Sequence, residues 1–182
     1  MLIHIHPNLR RETRPDAAPG IAALIDPASV IPNLRAGGKR QTLRALAAQA
    51  AAATGVPERA IFEALLERER LGSTGIGDGV AIPHAKLSGL DRLYGLFARL
   101  ERPIDFEAID GRPVDLVFLM LAPDAAGARH IKALARVARL LRDRAVCEML
   151  RGADSADALY AVLTDGAAAC TKPDTKPDRR FG

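Results

Sequence analysis

The stretch from Glu67 to Lys86 reads ERERLGSTGIGDGVAIPHAK, and its interpretation decides how the rest of the chain is read. Four glycines, Gly72, Gly75, Gly77 and Gly79, fall within eight positions. Glycine reaches backbone angles that cost other residues too much, so this density predicts a turning loop and neither a helix nor a regular strand. Val80, Ala81 and Ile82 are apolar and partly β-branched, which predicts a short buried strand. Pro83 has no N–H to give to a sheet ladder and holds Ile82 extended. His84 follows at once. A neutral imidazole at a strand end, beside a loop of N–H groups and hydroxyls, is placed to receive a phosphoryl group.

Outward from this stretch, size and composition set limits. A chain of 182 residues suits one domain and buries enough surface for a core without disulfides. Hydrophobic residues make up 48% and charged residues 26%, a globular balance. No apolar run approaches the ~20 residues that span a bilayer, so no membrane insertion is expected. The N-terminus lacks the apolar core of a signal peptide. Cys147 and Cys170 stand far apart and argue for a reducing cytosol over a disulfide framework. The formal charge of +4 is compatible with nucleic-acid binding. The arginines are interleaved with Asp and Glu along several helices, however, and aromatic residues are only 4%, so a solvated surface is the better reading.

Hydrophobic periodicity divides the chain into elements. Residues 1–20 carry Pro7, Pro15 and Pro19 and read as a flexible extension; His4 and His6 are two residues only, too few for a metal site. Val30 and Ile31 are strand-like. Lys39 to Thr54 predicts a helix burying Leu43, Leu46, Ala47 and Ala50, ended by Gly55. A second helix begins at Pro57 and buries Ile61, Phe62, Leu65 and Leu66. Leu93 to Leu100 and Val114 to Leu121 are strands apolar on both faces, hence covered by helices on both sides. Pro103 opens an irregular piece between them. Ala128 to Arg142 is amphipathic, with Ile131, Leu134, Ala135, Ala138 and Leu141 expected inside. Helices capped by Asp143 and by Asp154 or Ser155 follow. The tail, 166–182, repeats TKPD and is expected to be disordered. The fold class is therefore α/β: a single domain at 21–165, with a mixed sheet flanked by helices on both faces.

Several motifs fail. There is no GxxxxGK[ST], GxGxxG is incomplete, and LGSTG lacks the first glycine of GxSxG. His84, His130, Asp78 and Cys147 show no zinc-like spacing, so neither metal nor cofactor is expected. The placement of His84 points to phosphoryl transfer, which asks the protein for a nucleophile, donors for the phosphoryl oxygens and a docking surface. His84 is the candidate nucleophile; the bland alternative is a core histidine bonded to a backbone carbonyl. Ser73, Thr74 and Gly75 are phosphate-loop candidates; the bland alternative is a tight turn whose hydroxyls cap local backbone. Arg68 and Arg70 end a helix, where arginines are ordinarily solvated. His130 opens a later helix, where a histidine can donate to an anion.

The run GSTGIGDGVAIPHAKL resembles the active-site signature of the enzyme IIA proteins of the bacterial phosphoenolpyruvate-dependent phosphotransferase system, mannitol/fructose class, and within it the nitrogen-regulatory type. Weaker similarity covers roughly Ile21 to Asp165, including RERLGSTG, FEAIDGRPVDLVFLML and RHIKALARVARLL. The resemblance implies the mannitol-type enzyme IIA fold, with the histidine near the sheet edge. It implies that His84 is phosphorylated on Nε2 and that Arg68 is the active-site arginine, Arg70 being the register alternative. His130 matches the second histidine, in a pattern where Ile131 replaces leucine. Lys86 matches the nitrogen-type pattern, as a partner contact or an ordinary surface lysine. The implied partners are an HPr-like nitrogen phosphocarrier protein and regulatory targets such as potassium-transport or sensor-kinase components. The alternative is a sugar-transporter IIA component that passes phosphate to a separate IIB.

Overall fold

The computed structural model describes residues 20–169. The expected N-terminal extension with His4 and His6, and the TKPD repeat, lie outside the described residues. Two 3₁₀ turns, Ile21–Ala23 and Pro27–Ser29, lead into β1 (Val30–Leu34). Then come α1 (Lys39–Thr54), α2 (Glu58–Arg70), β2 (Gly75–Gly77), β3 (Val80–Ala81), β4 (His84–Leu87), β5 (Tyr94–Ile104) and β6 (Val114–Pro123). Helices α3 (Ala128–Leu141), α4 (Arg144–Gly152) and α5 (Ala156–Ala169) are the last of the described elements.

The strands form one mixed sheet in the order β1-β5-β6-β3-β2, with β4 also on β6. Its centre is the antiparallel pair β5/β6, and β1 joins β5 in parallel. Side chains alternate along a strand, so each face of β6 is an independent apolar surface. Val117, Leu119 and Leu121 pack with α1 and α2. Leu116, Phe118 and Met120 pack with α3, α4 and α5. The outcome is helix, sheet, helix, as the doubly apolar strands predict.

Helix α1 buries Leu43, Leu46, Ala47 and Ala50 and stops at Gly55, whose φ of 75° is left-handed and whose N–H returns to Ala51. The chain re-enters a helix after Pro57 and buries Ile61, Phe62 and Leu65.

Strands β3 and β4 behave as one edge strand interrupted by Pro83. Val80 opposes Leu116 and His84 opposes Met120, a constant offset of 36 (116 − 80 and 120 − 84). Pro83 therefore removes one N–H without a register slip, and its carbonyl still accepts from Met120 N–H at 3.0 Å.

Four expectations change. The glycine stretch is a β-hairpin: β2 and β3 are antiparallel and joined through Asp78 and Gly79, both at positive φ. β5 continues through Pro103 to Ile104, because the ladder to β1 ends at Leu100 and the pairing with β6 is irregular beyond Arg99, so no N–H is demanded of Pro103. α3 is rotated relative to the expected face: His130, Ala133, Val137, Leu140 and Leu141 are buried, while Ile131 is 67% exposed. α5 extends to Ala169, into the segment read as tail.

Candidate functional site

The edge of the sheet at β4 is the place where helices from opposite faces both reach the same residue. His84 opens β4 directly after Pro83, and its ring is half-buried. The last turn of α2 approaches from one face, and the first turn of α3 from the other. His84 Nδ1 lies 2.8 Å from the carbonyl of Ile82. A carbonyl only accepts, so Nδ1 carries the proton. Nε2 then holds the lone pair, and it accepts from Arg68 Nε at 3.0 Å. Arg68 also donates through its second fork position to the Gly72 carbonyl at 3.0 Å. These two contacts fix the neutral Nε2-nucleophilic tautomer.

His130 sits in the first turn of α3 with its ring centroid 5.8 Å from that of His84. It is 8% exposed, and its Nδ1 is buried with no hydrogen-bond partner among the described residues. Both histidines are held below the ordinary imidazole range. For His84 burial is the main cause, with the Arg68 charge adding to it and the Ile82 carbonyl and Glu69 opposing. For His130 burial leads, followed by His84 and Lys86. Two neutral imidazoles and one guanidinium thus border a pocket of about 400 Å³, with Lys86, Glu67 and Leu71 on its walls.

The structure brings Arg68, His84 and His130 together. It places Arg70 elsewhere: Arg70 is exposed and pairs with Glu67 at 3.0 Å. It also places the three phosphate-loop candidates away from the pocket. Ser73 Oγ donates to the Phe106 carbonyl at 2.9 Å and accepts from Gly75 N–H at 3.1 Å. Thr74 gives its N–H and hydroxyl to the Glu69 carboxylate at 2.9 and 2.7 Å. Their donors are engaged inside the fold, so these residues brace the loop. Asp78 holds Arg112, and Cys147 is buried in α4. Among the described residues no group of three or more His, Cys, Asp or Glu side chains is placed to hold a metal.

Sequence reasoning missed Glu69 and Lys39. Lys39 Nζ meets Glu69 at 2.8 Å and Glu107 at 2.6 Å. Burial alone would raise the Glu69 carboxyl, but the bonds from Lys39 and Thr74 outweigh it and hold it below the usual range. Burial likewise opposes the Lys39 charge, and the two carboxylates more than reverse that. A signal was present. Lys39 is the first residue of α1 and Glu69 lies in the last turn of α2, each the wrong sign for its helix end. Two such charges find their compensation in each other.

With this geometry in view, the chain is placed by comparison. Residues 23–166 match the family described as "Phosphoenolpyruvate-dependent sugar phosphotransferase system, EIIA 2", and the chain belongs to that family. Within it, the chain is similar to the nitrogen regulatory protein of Bradyrhizobium diazoefficiens, with 58% identity over 143 residues, 79% of this chain and 94% of that protein. Among solved structures, the nitrogen regulatory protein IIA-Ntr from Neisseria meningitidis superimposes with a TM-score of 0.75 at 32% identity, covering 78% of this chain and 97% of that one. Mannitol IIA from Escherichia coli, at 21% identity and a TM-score of 0.65 over 76% of this chain and 98% of that one, shares the fold. No helix among the described residues is long and apolar enough to cross a membrane.

Proposed function

We propose that the protein is a regulatory phosphocarrier, taking a phosphoryl group on His84 Nε2 from a phosphohistidine of an HPr-like nitrogen phosphocarrier protein, itself charged from phosphoenolpyruvate. The observation that carries this is the pair of bonds on one ring: Nδ1–H held by Ile82 and the Nε2 lone pair held by Arg68. The lone pair of Nε2 forms the new P–N bond. The donor's P–N bond breaks with its electron pair returning to the donor ring. Arg68 turns its fork from the ring nitrogen to two phosphoryl oxygens, and the Ile82 carbonyl stabilises the positive charge that develops at Nδ1. His130, on the pocket wall with its ring centroid 5.8 Å from that of His84, serves as a further donor to the phosphoryl oxygens.

The second half of the proposal is regulation by binding in the cytosol. Phosphorylation brings a charge near −2 to this pocket. Leu71 and Ile131, exposed at 80% and 67%, provide apolar contact area, Leu71 on the pocket wall and Ile131 next to His130 in sequence. A partner that rests on them therefore meets a different surface in the two states. The relatives named as nitrogen regulatory proteins favour nitrogen-related targets over sugar transport; potassium-transport or sensor-kinase components are further proposed targets.

The test is incubation with phosphoenolpyruvate, its enzyme I-type kinase and the carrier, followed by intact mass. One acid-labile phosphoryl group is expected on the wild type and none on His84→Ala. Undiminished labelling of that variant would refute the assignment.

A further inference from the structure

Helix α2 bears a groove that runs away from the His84 pocket and ends on a pair of arginines from α1. The guanidinium carbons of Arg40 and Arg44 both lie over the Phe62 ring, at 5.2 and 5.3 Å from its centroid. They stand one helical turn apart, and like charges at that spacing repel. Among the described residues no carboxylate lies within 4.0 Å of either. A cation held over a ring in this way keeps its N–H groups available, and both arginines are exposed. Beneath them lies a concavity of about 460 Å³. It shares Glu63 and Leu66 with the next concavity along α2, which in turn shares Ala64 and Glu67 with the His84 pocket. Through these shared residues the three adjoin along α2 as a broken trough.

Arg40 and Arg44 stand, unpaired among the described residues, at the far end, and Arg68 stands at His84. Between them Glu63 and Glu67 are paired with Arg59 and Arg70 at 2.7 and 3.0 Å. These pairs leave the middle close to neutral, so the described residues present no continuous row of free cations for a nucleic-acid backbone to follow. A protein segment needs carboxylates only where Arg40 and Arg44 stand.

We infer that the trough is a docking track for a partner protein, and that Arg40 and Arg44 receive two carboxylates about 6 Å apart, one turn of a partner helix, while the partner's reacting group sits over His84. The inference rests on the reading of His84 as the phosphoryl acceptor. It adds a distant address that selects which proteins reach that histidine without taking part in the chemistry.

The test uses the phosphorylated HPr-like carrier as the protein probe and phosphoramidate as a small phosphoryl donor. The variants are R40E/R44E and R40Q/R44Q. The expected result is a KM for the carrier raised about tenfold or more by charge reversal, and less by neutralisation. The kcat and the phosphoramidate rate should be unchanged, and added salt should weaken wild-type docking toward the variant. An unchanged KM overturns the inference. So does an equal fall in the phosphoramidate rate, which would assign the pair to the fold, or ATP or duplex DNA bound by the wild type and lost in the variants. Failure of phosphoramidate to label wild-type His84 would instead strike the phosphoacceptor reading, so the two failures are separable.

Discussion

Replacing Arg68 tests the site at its centre. Its two contacts, both 3.0 Å, join the acceptor nitrogen of His84 to the Gly72 carbonyl. On phosphoryl transfer the fork would face oxygens whose charge is concentrated by a half-buried site. A hydrogen bond to a charged group contributes about 1.5–3 kcal/mol, which corresponds to a roughly 10- to 150-fold slower phosphorylation of R68A. A second effect compounds it. The Arg68 charge helps burial to hold His84 below the ordinary imidazole range, which favours the neutral ring that the proposed transfer needs at neutral pH. Without that charge the midpoint moves up, and more of the ring is protonated and inert at a given pH. The R68A rate should therefore fall at a higher pH than the wild-type rate as the medium is acidified. R68K restores the charge and thus the pH profile, but one ammonium cannot span both positions of the fork, so much of the rate deficit remains. Single-turnover phosphorylation between pH 5.5 and 8.5, read by intact mass alongside imidazole NMR titration, separates the two effects. An R68A rate within about twofold of wild type, where the lost contact calls for at least about tenfold, would refute the reasoning, as would a midpoint that stays put or moves down.

Two further outcomes follow from the brace around the loop. E69Q removes the charge that Lys39 and Thr74 share, and should lower stability by about 1–3 kcal/mol at neutral pH. Because the Glu69 carboxyl is held low in the folded state, its contribution is complete above the unfolded value of ~4.3 and is lost as pH falls through the folded one. Thermal melts should show the gap between E69Q and wild type closing below that pH; a gap constant down to pH 3 counts against it. In G75A the new methyl would sit 2.8 Å from both Cα and Cβ of Ala108, so backbone must move. A loss of about 1–3 kcal/mol in urea unfolding is expected from overpacking of this kind, and an unshifted midpoint would show that the segment around Ala108 yields freely.

The layered architecture was legible in the sequence because β5 and β6 are apolar on both faces and α1 and α2 carry unambiguous periods. The orientation of α3 was not. Ile131, Leu134 and Ala138 form a plausible inner stripe, yet the inward slot is taken by His130 and continued by Ala133, Val137 and Leu140. Periodicity ranks a histidine as polar and so places it outside, whereas the fold buries it beside His84. The glycine stretch misled in a related way. Its hydroxyls looked available to an anion, but a carboxylate five residues before Thr74 and a carbonyl 33 residues after Ser73 claim them first. Local sequence cannot display the second of these. Arg68 and Arg70 were indistinguishable by type; only the helical phase, which turns one toward β4 and the other to solvent, separates them.

The sheet keeps its two apolar layers apart, yet the pocket takes its guanidinium from a helix on one side and its second imidazole from a helix on the other. A change that loosens either layer must then alter the gap between these groups, however far from His84 it occurs. The reactivity of one edge residue thereby becomes a gauge of how well both halves of the molecule are seated.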